Sequence, residues 1–328
     1  MRIRSFFVVI VMFFVISFMF ISCGGDDEDG NSNYKKAMRI FVQDISSYAK
    51  SINSNFIIIP QNGHELVSDN GDTDGNPEMD YINAIDALGQ EDLFYGYDDD
   101  NEATPAGENA YLTALLDKAK NSGKVILVTD YCWTASKMDD SYRRNVAKGY
   151  ISYAAESREL EVISEYPAQP NNVNINVITN ISQVKNFLYL INPDDFSSKA
   201  DYIAAVQATN FDLLIMDCFF DTDVSFTASE VNQLKQKANG GSRLVVSYMS
   251  IGEAEDYRYY WKDSWRSDPP DWLAEENNEW PGNYKVKYWN SQWQDIIYGN
   301  NNSYLKKVLD AGFDGVYLDI IEAFEYFE

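Results

Sequence analysis

Histidine is almost absent from this chain: His64 is the single one among 328 residues. A Ser-His-Asp or Cys-His catalytic arrangement would rest on that residue alone, and a histidine-rich metal centre is excluded. Cysteine is nearly as scarce, with Cys23, Cys132 and Cys218 the only three. That rules out a disulfide scaffold and leaves a Cys132–Cys218 bridge or two free thiols as open alternatives. Basic charge is also short, since 26 Lys and Arg stand against 51 Asp and Glu for a net charge of −25. Nucleic acid needs a basic footprint and is not expected as a partner, whereas a cationic polymer would be attracted. What the chain has in quantity is acids and 23 tyrosines, so catalysis is expected to run on carboxylates, with no metal or cofactor.

Arg2 and Arg4 precede an apolar run from Phe6 to Ile21, followed by Ser22-Cys23-Gly24-Gly25. A charged start, a short apolar core and a small-residue junction make residues 1–22 a secretory signal. The junction resembles a bacterial lipobox, which implies that Cys23 carries a lipid; an uncleaved anchor is the alternative. Residues 23–33 include Asp26-Asp27-Glu28-Asp29 and are too polar to fold, so they read as a flexible tether. The expected location is the cell envelope, lipid-anchored to the outer membrane, on its periplasmic face or at the cell surface.

From residue 34 to 328, short apolar runs alternate with helical patterns. Nine runs read as strands: 55–60, 92–97, 124–131, 149–155, 186–192, 211–217, 243–250, 284–290 and 315–320. Their continuous apolarity suits a parallel sheet buried on both faces. Between them, residues 35–53 place Met38, Phe41, Val42, Ile45, Tyr48, Ala49 and Ile52 on one helical face. Helices are also expected over 108–123, 227–241 and 301–315, the second opening with a Thr227/Glu230 capping box. Repeated βα units without a Rossmann glycine pattern favour an α/β fold of the (β/α)8 TIM-barrel type in one domain, 34–328. Nine runs exceed eight places, so 92–97 or 284–290 is expected to lie outside the barrel. Chemistry in such barrels sits at the C-terminal ends of the strands.

Four stretches, "VVSYMSIGEAEDYRYYW" (245–261), "AGFDGVYLDIIEAFEY" (311–326), "FIIIPQNGHEL" (56–66) and "AIDALGQEDLFYG" (84–96), together resemble glycoside hydrolase family 114. These are endo-α-1,4-polygalactosaminidase-like (β/α)8 barrels, and the likeness spans nearly all of residues 34–328. In that family the "YLD" strand precedes the "PQNG" strand; here the order is reversed, which implies a circular permutation. Helix 35–53 would then cover the "GVYLDI" strand and lead into "FIIIP". The new junction is expected at the Pro/Asn-rich stretch 167–174.

The resemblance places a catalytic acid at Asp319 and matches Tyr248 and Arg258 to cleft elements. Glu91 is chosen as the second catalytic carboxylate, with Glu253 and Glu255 as competitors. Two carboxylates are required because one protonates the leaving oxygen while the other attacks carbon or activates water. Gln61, Asn62, Asp130, Asp217, Tyr248, Glu253, Glu255, Arg258 and Glu322 are the expected substrate-binding residues. His64 reads as a local hydrogen-bond partner, and "NGDTDGN" (70–76) as a turn, because Tyr81 stands where a calcium loop needs Glu. Six of the seven tryptophans fall between 261 and 293, where sugar stacking and loop packing are equally open. The expected function is a lipid-anchored hydrolase of an amino-sugar polysaccharide. A non-catalytic surface glycan-binding lipoprotein is the alternative, and an envelope scaffold the third reading.

Overall fold

The computed structural model describes residues 31–222 and 224–328, the side chains of 31–33 excepted. The signal 1–22, Cys23 and the tether up to residue 30 lie outside the described residues. Eight parallel strands form the centre: β1 (Ile57–Pro60), β2 (Ala87–Glu91), β3 (Val125–Tyr131), β4 (Ile151–Ala155), β5 (Phe187–Tyr189), β6 (Leu213–Asp217), β7 (Leu244–Ser250) and β8 (Gly315–Asp319). One sheet runs β1–β8–β7–β6–β5 and another β2–β3–β4, all pairs parallel. The edges of the two sheets approach each other on both sides. The amides of Asp86 and Asn62 donate to the carbonyls of Ile58 and Gly89, each at 2.9 Å, joining β1 to β2. Across the other gap the Tyr153 and Phe187 rings lie 5.9 Å apart. This is a mixed α/β fold with a parallel central sheet, consistent with a (β/α)8-like architecture.

Seven of the nine expected strands are present, and the two suspect ones lie elsewhere. Residues 284–290 overlap the short strand Asn283–Val286, which pairs antiparallel with Glu253–Glu255 and Leu273–Glu276 in a side sheet. Residues 92–97 are a turn, and the strand is the preceding Ala-Leu-Gly-Gln-Glu. That segment lacks β-branched residues, and its Gly89 is there for space: a Cβ would sit 2.2 Å from the Tyr317 hydroxyl. The expected helix 227–241 is shorter, Ala228–Leu234, although its capping box forms as read. The helix expected over 301–315 spans Tyr304–Asp310. Residues 167–174 lie in an irregular stretch between β4 and β5.

Helix α1 (Asn31–Ile52) begins earlier than its periodicity indicated, so the last three residues of the expected tether are helical. Its Met38, Phe41, Val42, Ile45 and Ala49 are all fully buried. Removing a large apolar side chain from water contributes ~1.5–3 kcal/mol, so this face is a major share of what holds the helix down. Arg39, also buried, donates to the carbonyls of Leu66 (2.9 Å) and Ser68 (2.6 Å) just beyond β1. The last residues of the chain pack on the same helix: Lys35 pairs with Glu328 at 2.8 Å and stands over the Phe324 ring. No helix among the described residues is long and apolar enough to cross a membrane.

Urea denaturation tests this packing. Phe41→Ala should lower the unfolding free energy by about 3–5 kcal/mol, while Ile40→Ala, on the exposed side of α1, should change it by less than ~0.5 kcal/mol.

Candidate active site

The site is assembled at the exits of β2, β1, β8 and β7. Asp319 ends β8, and its Oδ2 accepts a 2.7 Å hydrogen bond from the Tyr248 hydroxyl on β7. Glu91 ends β2 and takes three donors: Gln61 Nε2 at 2.5 Å, Asn62 Nδ2 at 3.1 Å, and the Tyr131 hydroxyl. Gln61 is itself fixed, because its Oε1 accepts from the Tyr189 hydroxyl at 2.7 Å. Asn62 Oδ1 accepts from the Glu91 amide at 3.1 Å, so side chain and backbone of the two residues lock together.

Each of three strand exits turns through a left-handed residue: Asn62, Asp92 and Ile320, all with φ of 58°. Asn and Asp tolerate that region; a β-branched Ile does not, and such a residue costs of order 1–3 kcal/mol. Ile320 is held by close approach on two sides. A Cβ at Gly252 would fall 2.1 Å from the Ile320 carbonyl, and the Ile251 amide donates to the Asp319 carbonyl at 3.1 Å. The strain is therefore supported by the neighbouring strand exit, and it aims Asp319 inward.

Burial and neighbouring charge act on the carboxyls at the end of β8. Burial first, then the negative charge of Glu91, push the Asp319 carboxyl up to about 7, against the hydrogen bonds from Tyr248 and the Ile320 amide. Glu322 is raised well above its ordinary range by burial and by Asp319, and its Oε2 has no hydrogen-bond partner among the described residues. Tyr317, two residues before Asp319, is fully buried with an equally unpartnered hydroxyl. Beside this group opens a cleft of about 260 Å³, lined by Glu65, Glu91, Asp92, Glu108, Glu322 and Glu325 together with His64 and Tyr97, and by no Lys or Arg. Burial holds His64 below its ordinary pKa, and its ring meets Tyr111 edge-on at 5.7 Å.

Several expected ligands have other settings. Asp130 is fully buried and accepts from the Phe94 and Tyr95 amides, Ser141 and Asn145, so its capacity goes into tying the loop after β2 to the helix that follows β3. Asp217, Glu255 and Arg258 do converge, but on one another: the guanidinium reaches Asp217 at 2.7 Å and Glu255 at 2.5 Å. Glu253 is buried, with Oε1 accepting from Asn277 and Tyr326 at 2.9 Å each. Strand-end position alone did not separate these from Asp319 and Glu91. Cys132 and Cys218 are buried free thiols, which removes the bridge alternative. Most of the tryptophan cluster is packing: Trp272 and Trp293 are buried with ring centroids 5.0 Å apart, and Trp265 stands 5.1 Å from Trp272. Residues 70–76 form a turn closed by the Asn70 and Asp69 side chains.

Sequence reading passed over Tyr189, Tyr317, Asp92 and Arg158. Arg158 pairs with Asp92 (2.9 Å) and Asp100 (2.6 Å) and lies 4.2 Å from the Tyr131 ring centroid, bracing the wall behind Glu91. The available signal was a tyrosine inside each of two apolar strands, a residue that needs a partner for its hydroxyl when buried.

Two measurements follow from these charges. A carboxyl whose folded pKa is raised costs stability as pH climbs from its unfolded value, 3.8, to its folded one, about 7. Asp319→Asn should therefore gain thermal stability relative to the parent progressively across that window and no further above it. Arg258→Met leaves Asp217 and Glu255 buried without a cation and should cost about 3–5 kcal/mol in urea unfolding at pH 7.

Among curated proteins, an uncharacterized protein of Methanocaldococcus jannaschii is 40% identical over 159 residues, covering 48% of this chain and 43% of that protein. An uncharacterized protein of Thermotoga maritima is 43% identical over 121 residues, 37% of this chain and 36% of the relative. One of Deinococcus radiodurans is 39% identical over the same length and the same shares. The chain spans less than half the length of these relatives. Glu91, Gln61 and Asn62 lie outside the stretch that a family model covers, whereas β5 to β8, Tyr248, Asp319 and Glu322 lie within it. Residues 167–327 match the model of Glycoside-hydrolase family GH114, the family that the motifs of this chain resemble.

Proposed function

We propose that this protein hydrolyses glycosidic bonds within an amino-sugar polysaccharide, with Asp319 and Glu91 as its carboxylate pair. The observation that carries the reading is the unequal treatment of two neighbouring carboxyls. Asp319 is held up to about 7 with one tyrosine donor, while Glu91 collects three donors at the mouth of the cleft. A buried carboxyl that keeps its proton is suited to the acid role, and a carboxylate fixed by several donors is positioned to act opposite it. Protonated Asp319 gives its proton to the glycosidic oxygen as the bond to the anomeric carbon breaks. Glu91 attacks that carbon or takes a proton from the water that does, and water supplies the new hydroxyl. The acidic lining of the cleft, without a basic residue, suits a sugar carrying a free ammonium group, as in an α-1,4-galactosaminan.

The same reading takes the two parallel sheets as one ring, closed between β1 and β2 and between β4 and β5, a circularly permuted (β/α)8 barrel. The backbone bonds from Asp86 and Asn62 and the packing of the chain's last residues on α1 support it. It also takes Cys23 as a lipid anchor, with the acidic tether displaying the enzyme at the outer membrane.

Residues 31–328, incubated with partly deacetylated galactosaminan, should release new reducing ends. Asp319→Asn and Glu91→Gln should each lower that rate by 10²–10⁴-fold or more. Because Asp319 must carry its proton, the rate should fall as pH rises through about 7. Full activity in Asp319→Asn would overturn the pair, and binding without cleavage would favour a non-catalytic glycan-binding protein.

A further inference from the structure

Six aromatic side chains are exposed among the described residues: Tyr97, Trp133, Tyr166, Tyr257, Trp280 and Trp289. Every one lies in a segment that follows the C-terminal end of a parallel strand. The exposed apolar residues elsewhere, such as Ile40, Ile52 and Val146 on helices, are aliphatic. Exposed rings confined to the site's end of the molecule are not what random surface exposure gives.

Two of these rings lie on the segments that leave β2 and β7, and the hydroxyl of each is hydrogen-bonded to a glutamate. Tyr97 lines the cleft with Glu91 and Glu322. Its hydroxyl lies 3.4 Å from Glu108, and its loop is anchored where Arg158 donates to the Gly96 carbonyl at 2.6 Å. On the other flank, Tyr257 donates to the buried Glu255 at 2.6 Å, and the Arg258 guanidinium lies 5.0 Å from its ring centroid. One face of that ring is thus backed by a cation already neutralised by Asp217 and Glu255, while the residue remains 44% exposed. Tyr257 also lies close enough to Tyr248, the hydrogen-bond partner of Asp319, to raise its pKa. The strands run in the order β2, β1, β8, β7 across this region, so Tyr97 is on the β2 side and Tyr257 on the β7 side.

We infer that Tyr97 and Tyr257 are sugar-stacking platforms on opposite sides of the bond to be cut, so that a glycan chain lies across the exits of β2, β1, β8 and β7 with residues held beyond both ends of the carboxylate pair. The acidic cleft beside Tyr97 suits a polymer with ammonium groups. An aromatic face presents a large, rigid apolar area to a sugar ring. Holding sugar units on both flanks means that internal bonds are cut, not terminal ones. The inference rests on the hydrolase reading for its ligand class but is tested on binding alone.

The full chain carrying Asp319→Asn, which binds without turnover, is titrated with partly deacetylated galactosaminan at low and high salt. Tyr97→Ala and Tyr257→Ala should each weaken binding about tenfold, whereas Tyr97→Phe and Tyr257→Phe, which keep the ring, should stay within about threefold. Ile40→Ala, remote from the mouth, should bind as the parent does. Circular dichroism and melting temperature confirm that each variant is folded. Affinity unchanged in both alanine variants, or no binding of this polymer at all, overturns the platforms. Ring-dependent binding by a parent chain that never cleaves would leave the platforms standing and sink the hydrolase reading. Cleavage with ring-independent affinity would do the reverse.

Discussion

A buried carboxylate is tolerated only when a cation, several donors or a proton balances its charge, and this fold places many at the ends of its strands. The balancing partners differ from one acid to the next. Asp217 and Glu255 share Arg258. Asp92 and Asp100 share Arg158. Asp130 has no cation but four donors. At the opposite end of the sheet, before β6, Asp212 is paired with the fully buried Lys237 at 2.9 Å. Among the described residues Asp319, Glu322 and Glu253 have no cation in contact; burial pushes all three toward the protonated form, as it also does Asp92, Asp130 and Asp217 against the pull of their partners. A carboxyl that keeps its proton and has no cation beside it is what a proton donor requires.

Local conformation serves the same end. The left-handed turns at Asn62, Asp92 and Ile320 each follow the last site-facing residue of a strand. They let the chain leave the sheet sharply while the side chain before the turn stays pointed inward. Glycines at 63, 89 and 252 permit the accompanying close approaches; a Cβ at Gly63 would fall 2.4 Å from Ile321. A strained Ile320, the buried carboxyls Asp319 and Glu322 and the unpartnered hydroxyl of Tyr317 all fall within six residues at the end of β8. Sequences depart from local consistency where function demands it.

Much of the architecture was legible because its causes are local. Runs such as Val125–Tyr131 and Leu244–Ser250 are apolar throughout because both faces of those strands are covered. The face of α1 was readable from its spacing, and the Thr227 capping box from its residue types. β2 was missed for an equally physical reason. Its Gly89 and Gln90 serve Tyr317 and the site rather than the sheet, so it carries no strand signature. The strand then read in its place, 92–97, draws its apolarity from Leu93 and Phe94 packing beneath a turn.

The sequence by itself determined the chemical repertoire: carboxylates and tyrosines with one histidine, a strongly acidic charge balance, alternating strands and helices, and motifs that resemble those of a glycoside hydrolase family. It did not determine which carboxylates are free to act. Asp130, Asp217 and Asp319 occupy equivalent positions at strand ends, and nothing in their neighbours along the chain distinguishes them. The distinction comes from partners far away in number, such as Arg258 for Asp217 and Tyr248 for Asp319. Only tertiary structure supplies those partners, because the charge state of a buried group depends on what surrounds it in space, not on what precedes it in the chain.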